Sequence, residues 1–274
     1  MVQTLSLVRL RSRALIALGG PDWRDFLHNL ISQNVETLAV EEIRFGALLT
    51  PQGKVLYDLF LIGREDGCWL DVAAEHRDVI LQRLMIYRLR AKVTIAPDEA
   101  EVAVLFGEGE APGEGWLADP RLPDLGWRGY GLASPAGAVE GDESDYMAFA
   151  LSLGVPGPAD WGVEQTYPIE ANFDLLNGID FKKGCFVGQE TTSRMKRRGT
   201  VKTRFLPIDF EGETPAPGAE VLAGELRAGQ VLSGTDGRAM ASLRLDRIEG
   251  ADLTVDGRPV RVVRPDWFEQ ALTQ

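Results

Sequence analysis

Short apolar runs at residues 4–10 and 14–18 predict two strands, and Gly19-Gly20-Pro21 ends the second. Asp22 then stands where a helix N-cap would. Trp23, Phe26, Leu27, Leu30 and Ile31 follow at the i, i+3, i+4, i+7 and i+8 spacing of a helix with one buried face. Residues 45–49 and 55–62 read as strands joined by the turn sequence Pro51-Gln52-Gly53-Lys54, and Gly67 leads into a third at 68–72. The pattern over 75–89 predicts a helix with Val79, Ile80, Leu84 and Tyr87 inward, and 92–96 and 102–106 return to strand. Residues 107–142, rich in Gly, Pro and acids, include Asp119-Pro120-Arg121-Leu122-Pro123 and read as extended or turning chain. Residues 145–153 and 188–198 read as helices, with a loop over 154–168. From Thr203 the texture changes: short alternating strands separated by Pro215-Ala216-Pro217-Gly218, Asp236-Gly237 and Asp256-Gly257 predict hairpins and a small barrel. A boundary near residue 201 divides the chain into 1–200 and 201–274. The first part mixes strand pairs with crossing helices, so its class is α+β rather than doubly wound.

Composition narrows the function classes. The 274 residues are 45% hydrophobic and 26% charged, which excludes a disordered chain, a collagen and a coiled coil. No apolar run approaches the ~20 residues of a membrane span, and the first residues lack a secretory signal, so a cytoplasmic protein without membrane attachment is expected. Cys68 and Cys185 are too few for a disulfide framework. His28 and His76 have no metal-ligand spacing, and a monomer cannot supply four thiolates to an iron–sulfur cluster, so no resident metal is expected. A net charge of −12 opposes nonspecific nucleic-acid binding by the whole surface.

Phe181-Lys182-Lys183-Gly184-Cys185-Phe186-Val187-Gly188-Gln189-Glu190 is the least ordinary stretch. Two lysines precede a thiol, two glycines let backbone approach a ligand, and a helix N-terminus follows; all three favour a thiolate at Cys185. The alternative is a small side chain buried in a tight turn. From Lys182 to Arg204 there are eight cations (Lys182, Lys183, Arg194, Lys196, Arg197, Arg198, Lys202 and Arg204) and one acid, Glu190. This reversal of the global sign points to an anionic ligand or partner, tRNA included, although no aromatics interleave as on a base-stacking platform.

Lys183-Gly184-Cys185-Phe186-Val187-Gly188-Gln189-Glu190 closely resembles the signature of the YgfZ family of folate-binding proteins, related to the aminomethyltransferase (T-protein, GcvT) of the glycine cleavage system. Tyr167-Pro168-Ile169-Glu170-Ala171-Asn172-Phe173, Pro51-Gln52-Gly53-Lys54-Val55-Leu56-Tyr57-Asp58 and Asp119-Pro120-Arg121 extend the resemblance over nearly the whole chain. It implies GcvT-like α/β units around a central folate cavity, a C-terminal β-barrel, and a monomer that binds tetrahydrofolate and helps assemble or repair iron–sulfur proteins, including a tRNA-modifying enzyme. Cys185 and Lys183 would form the reactive centre. A pterin presents a ring N–H beside an amino group, which suits a carboxylate accepting two bonds; Glu170 and Asp58 are the candidates. Tyr146 matches a position where a folate-contacting family member carries Trp, and Phe149, Tyr167 and Phe173 could extend the wall. Gly184, Gly188, Gln189 and Arg194 complete the candidate cofactor-binding set. Two departures stand out. The second folate-contacting Trp falls near Arg13 here, and the paired aspartates of the T-protein are replaced by Tyr57-Asp58. A folate-dependent aminomethyl or other one-carbon transferase is therefore the alternative function, and a non-catalytic module docking through the basic helix is the third.

Overall fold

The computed structural model describes residues 5–199 and 201–272, with the side chain of Arg198 outside the described set. In chain order, β1 (Ser6–Arg9) and β2 (Arg13–Gly19) precede α1 (Trp23–His28), β3 (Ile43–Leu49), β4 (Val55–Arg64), β5 (Gly67–Ala73), α2 (Arg77–Arg88), β6 (Thr94–Asp98) and β7 (Val102–Phe106). Next come β8 (Leu117–Ala118), β9 (Trp127–Tyr130), β10 (Val139–Glu140), α3 (Glu143–Ser152), α4 (Pro158–Trp161) and α5 (Gln189–Arg198). The last part holds β11 (Thr203–Phe210), β12 (Glu220–Ala223), β13 (Leu226–Thr235), β14 (Arg238–Arg244), α6 (Leu245–Ile248), β15 (Leu253–Val255), β16 (Arg258–Val262) and α7 (Asp266–Leu272).

Two five-stranded sheets, ordered β10-β1-β7-β9-β8 and β3-β4-β5-β2-β6, precede a closed barrel ordered β11-β14-β13-β12-β15-β16. The two-residue side-chain period of strands sorts the middle of the second sheet. Phe60, Ile62 and Trp69 turn toward the first sheet and pack with its Val8, Val104 and Tyr130. Leu59, Leu61, Leu70 and Val72 turn the other way, against Leu27 of α1 and Ile80 and Leu84 of α2. The barrel closes on Leu206, Ile208, Val231, Ala241 and Val255, with Phe268 of α7.

The barrel and α5 follow the sequence pattern; other elements depart from it. α1 stops at His28, so Leu30 and Ile31 are buried from the turn beyond it. The Asp22 side chain does not cap α1, because its Oδ2 accepts the Lys92 N–H at 2.7 Å. α2 buries Ile80 and Leu84 but leaves Val79 and Tyr87 exposed. The expected loop 107–142 contributes three short strands, β8, β9 and β10. Thr4 and Thr200, at the edges of an expected strand and of the domain boundary, lie outside the described residues.

Candidate functional site

The Lys-Gly-Cys loop is fastened at three points. Asp180 accepts the backbone N–H groups of Lys182 at 2.7 Å and Lys183 at 3.2 Å. Lys183 is buried, and its ammonium donates to the carbonyls of His28, Ile31 (2.7 Å) and Gln33 (2.9 Å). Carbonyls at a helix end have no intrahelical donor, so a cation delivered from residue 183 completes the end of α1. At the far side Gly188 adopts φ 83°, and a Cβ there would meet the Thr50 carbonyl oxygen at 2.7 Å. Only glycine seats the start of α5 this closely on the Pro51–Gly53 turn.

Cys185 is exposed between these fastenings. The expectation that the Lys183 ammonium faces the thiol is corrected: its three donors serve three main-chain carbonyls, and no Lys183–Cys185 contact exists among the described residues. Burial pushes Lys183 down to about 8, against the pull of Asp180 and Glu36. The group beside the loop is instead His28, whose Nε2 lies 3.6 Å from where a Cβ on Gly184 would sit. His28 is buried and its Nδ1 accepts the Val35 N–H at 3.3 Å. Burial, and then Lys183, lower its pKa, so it is neutral at pH 7 with the proton on Nε2. Its spacing in the sequence gave no sign of this role. Arg194 and Arg197 are exposed on α5; Lys196 lies 3.4 Å from Asp174 and Gln189 is half-buried.

Between the two sheets lies a second charged constellation. Asp71, fully buried, accepts from Arg13 Nε at 2.6 Å, Arg128 at 2.6 Å and the Tyr130 hydroxyl at 3.1 Å. Asp58 accepts from Arg13 at 2.8 Å. Asp119 accepts from Arg121 at 2.8 Å, and Arg121 also donates to the Tyr146 hydroxyl at 3.0 Å. The Phe60 ring sits under Arg128 at 4.0 Å, Arg121 at 5.0 Å and Arg13 at 5.5 Å. Burial raises Asp71 and Asp119, but the guanidinium groups outweigh it and hold both below the usual carboxylate range. Three carboxylates and three guanidinium groups thus neutralise one another in a largely buried layer.

Several of the folate candidates are already engaged by other side chains. Asp58 is committed to Arg13, and the Tyr146 hydroxyl to Arg121 and Asp119. Phe173 packs on Phe45 at 4.8 Å and Trp161 at 5.1 Å, and Phe149 on Phe106 at 4.8 Å, as core. A groove of about 540 Å³ lined by Ile62, Arg64, Trp69, Leu117 and Tyr130 contains none of the candidates. Glu170 is different: only its Oε2 accepts a bond, from the Tyr167 N–H at 3.2 Å. Burial raises its pKa against that bond and the attraction of Lys54 and Arg204. Arg204 brings a further loose end, a buried Nε without a partner among the described residues. Glu170 is therefore a candidate carboxylate with acceptor capacity to spare and, among the described residues, no ion pair.

Residues 202–270 match the family described as the CAF17 C-terminal beta-barrel domain. The human iron–sulfur cluster assembly factor IBA57 is 30% identical over 308 aligned positions, covering 95% of this chain and 84% of the human protein. Its mouse counterpart is 31% identical, covering 96% and 85%. The chain belongs to the IBA57 family. The Neurospora crassa IBA57 homologue is 31% identical, with 76% of this chain and 55% of that longer protein covered. Among solved structures, the glycine cleavage aminomethyltransferase T of Bartonella henselae superimposes with a TM-score of 0.74 at 18% identity, covering 97% of this chain and 87% of that one, which shows a GcvT-like fold. IBA57, rather than YgfZ, is thus the family name the relatives carry. The cytoplasmic expectation is overturned: these IBA57 relatives are mitochondrial proteins, and the expectation rested only on the lack of a membrane-length apolar run and of a secretory signal. Among the described residues no helix is long and apolar enough to cross a membrane.

Proposed function

We propose that this IBA57-family protein serves, as its relatives' names say of them, in iron–sulfur cluster assembly, and that Cys185 is the thiol that meets the cluster. The observation that carries this reading is the exposure of Cys185 on a loop pinned by Lys183 and Gly188. Thiolates are the ligands of iron–sulfur clusters, and a cluster takes four. The second cysteine, Cys68, is buried and burial pushes its pKa far up, so it offers no ligand. A monomer with one available thiol holds a cluster only jointly with another molecule, which suits transfer or repair rather than storage. Client proteins, including a tRNA-modifying enzyme, follow from the YgfZ resemblance.

Tetrahydrofolate is part of the proposal on narrower ground. Asp58 and Tyr146 are already engaged in the Arg/Asp layer; Glu170, with Lys54 and Arg204 near it, is the anchor without an ion pair to break. No step is assigned to the folate. The transferase reading has the fold in its favour, yet one of the paired carboxylates of the T-protein is Tyr57 here, and the other, Asp58, is ion-paired to Arg13 at 2.8 Å.

The test is anaerobic reconstitution with ferric iron, sulfide and glutathione as co-ligand. Wild type and Cys68→Ala are expected to develop the visible absorption of a cluster, and Cys185→Ala none. Equal absorption from Cys185→Ala would remove Cys185 from the centre. Calorimetry with tetrahydrofolate on wild type and Glu170→Gln tests the folate separately: binding that Glu170→Gln leaves unchanged removes Glu170.

A further inference from the structure

α2 shows an unusual outer face. Its inner residues Ile80 and Leu84 pack on the second sheet, yet Val79, Met85, Ile86 and Leu89 are 49%, 39%, 72% and 87% exposed. Positions 79, 82, 86 and 89 fall on one side of a helix, so three of these residues and Gln82 form a stripe with Met85 at its edge. Leu89 is held out by backbone geometry: it ends the helix at φ 45° and ψ −108°, a region that a non-glycine residue occupies only at a cost. A strained main chain that displays an aliphatic side chain to water has no folding rationale in this molecule.

The charge around the stripe is equally unusual. From Val79 to Pro97 the chain carries Arg83, Arg88, Arg90 and Lys92 and no acid, within a protein of net charge −12. Arg83 and Arg90 have no ion-pair partner among the described residues, whereas Arg77, one turn earlier, is paired with Glu99. The stripe also lies on the face of the sheet that carries the Lys-Gly-Cys loop, since Val187 packs into the same apolar cluster as Ile80 and Leu84.

We propose that the outer face of α2 is a docking surface for a partner protein that presents an acidic rim around an apolar patch. The cations supply orientation and encounter rate, and Ile86 and Leu89 supply the buried anchors. A second copy meeting this face through its own α2 would set arginines against arginines. Nucleic acid would find four aliphatics and a single aromatic, Tyr87, in place of stacking surfaces. The proposal goes beyond the reading of Cys185 and stands without it.

The experiment places a photo-crosslinking amino acid at Gln82 of the full chain in its own cells, identifies the adduct and purifies that partner for calorimetry. The expected partner is an acidic protein whose binding weakens with salt. Ile86→Ser with Leu89→Ser, and separately Arg83→Glu with Arg90→Glu, should each weaken it by about tenfold or more, with unchanged melting temperatures. Cys185→Ala should bind as wild type, which separates failure of this surface from failure of the thiol reading. Adducts with nucleic acid, lipid or a second copy alone, no adduct, or an affinity indifferent to both double variants would overturn the proposal.

Discussion

The layer between the sheets and the Lys-Gly-Cys loop both bury charge, and they resolve it in opposite ways. In the layer, Arg13, Arg121 and Arg128 face Asp58, Asp71 and Asp119, and carboxylate and guanidinium neutralise each other out of water. In the loop, the Lys183 ammonium has no carboxylate partner among the described residues; it is satisfied by uncharged carbonyls at and beyond the end of α1, and two residues later a thiol stands in solvent. Closed charge networks hold a fold together, whereas a cation spent on backbone can hold a neighbouring group in place while leaving it free to react.

The sharpest way to break this comparison is Asp71→Ala. It leaves Arg13 and Arg128 buried without their shared carboxylate and should cost about 3–5 kcal/mol in urea unfolding. The linked pH dependence has a definite sign. Asp71 is held below its unfolded value, so its contribution is present at neutral pH and is lost as pH falls through the folded-state pKa. Lys183→Met comes next: it deprives carbonyls of their donor at a cost of about 2 kcal/mol. Because Lys183 does not touch the thiol, alkylation of Cys185 should not slow in this variant; slowing would restore an electrostatic partnership. Glu170→Gln should have a smaller effect in the opposite direction. Its folded-state pKa is raised, so the carboxylate's contribution is favourable only at low pH and is lost as pH rises through that pKa. The amide should therefore raise the melting temperature at pH 7, with the gain shrinking on acidification. Cys185→Ala should leave stability within about 0.5 kcal/mol of wild type, as for an exposed side chain.

The barrel was legible because Asp236-Gly237 and Asp256-Gly257 announce hairpins locally, and α5 because Gly188 and the charged run bound it. The end of α1 was not legible. Its apolar spacing continues to Ile31, but Lys183, about 150 positions away, takes the carbonyls of His28 and Ile31. α2 carries apolar residues on two sides, so its pattern could not say that Ile80 faces the sheet while Val79 does not. β8 and β10 have two residues each, too few for any period. The Lys-Gly-Cys motif was visible, yet the geometry gives Lys183 another role than the one expected: it anchors, while Cys185 is presented. Asp58 was visible as a carboxylate, but its partner Arg13 comes from another strand, and no local signal links them.

The most direct test of the account is activity of an iron–sulfur client enzyme in cells whose own copy of this protein is replaced by Cys185→Ala or by Cys68→Ala, with protein levels and melting temperatures matched to wild type. The account predicts loss of client activity with Cys185→Ala and retention with Cys68→Ala. Full activity with Cys185→Ala would contradict it and leave the loop a scaffold for α5.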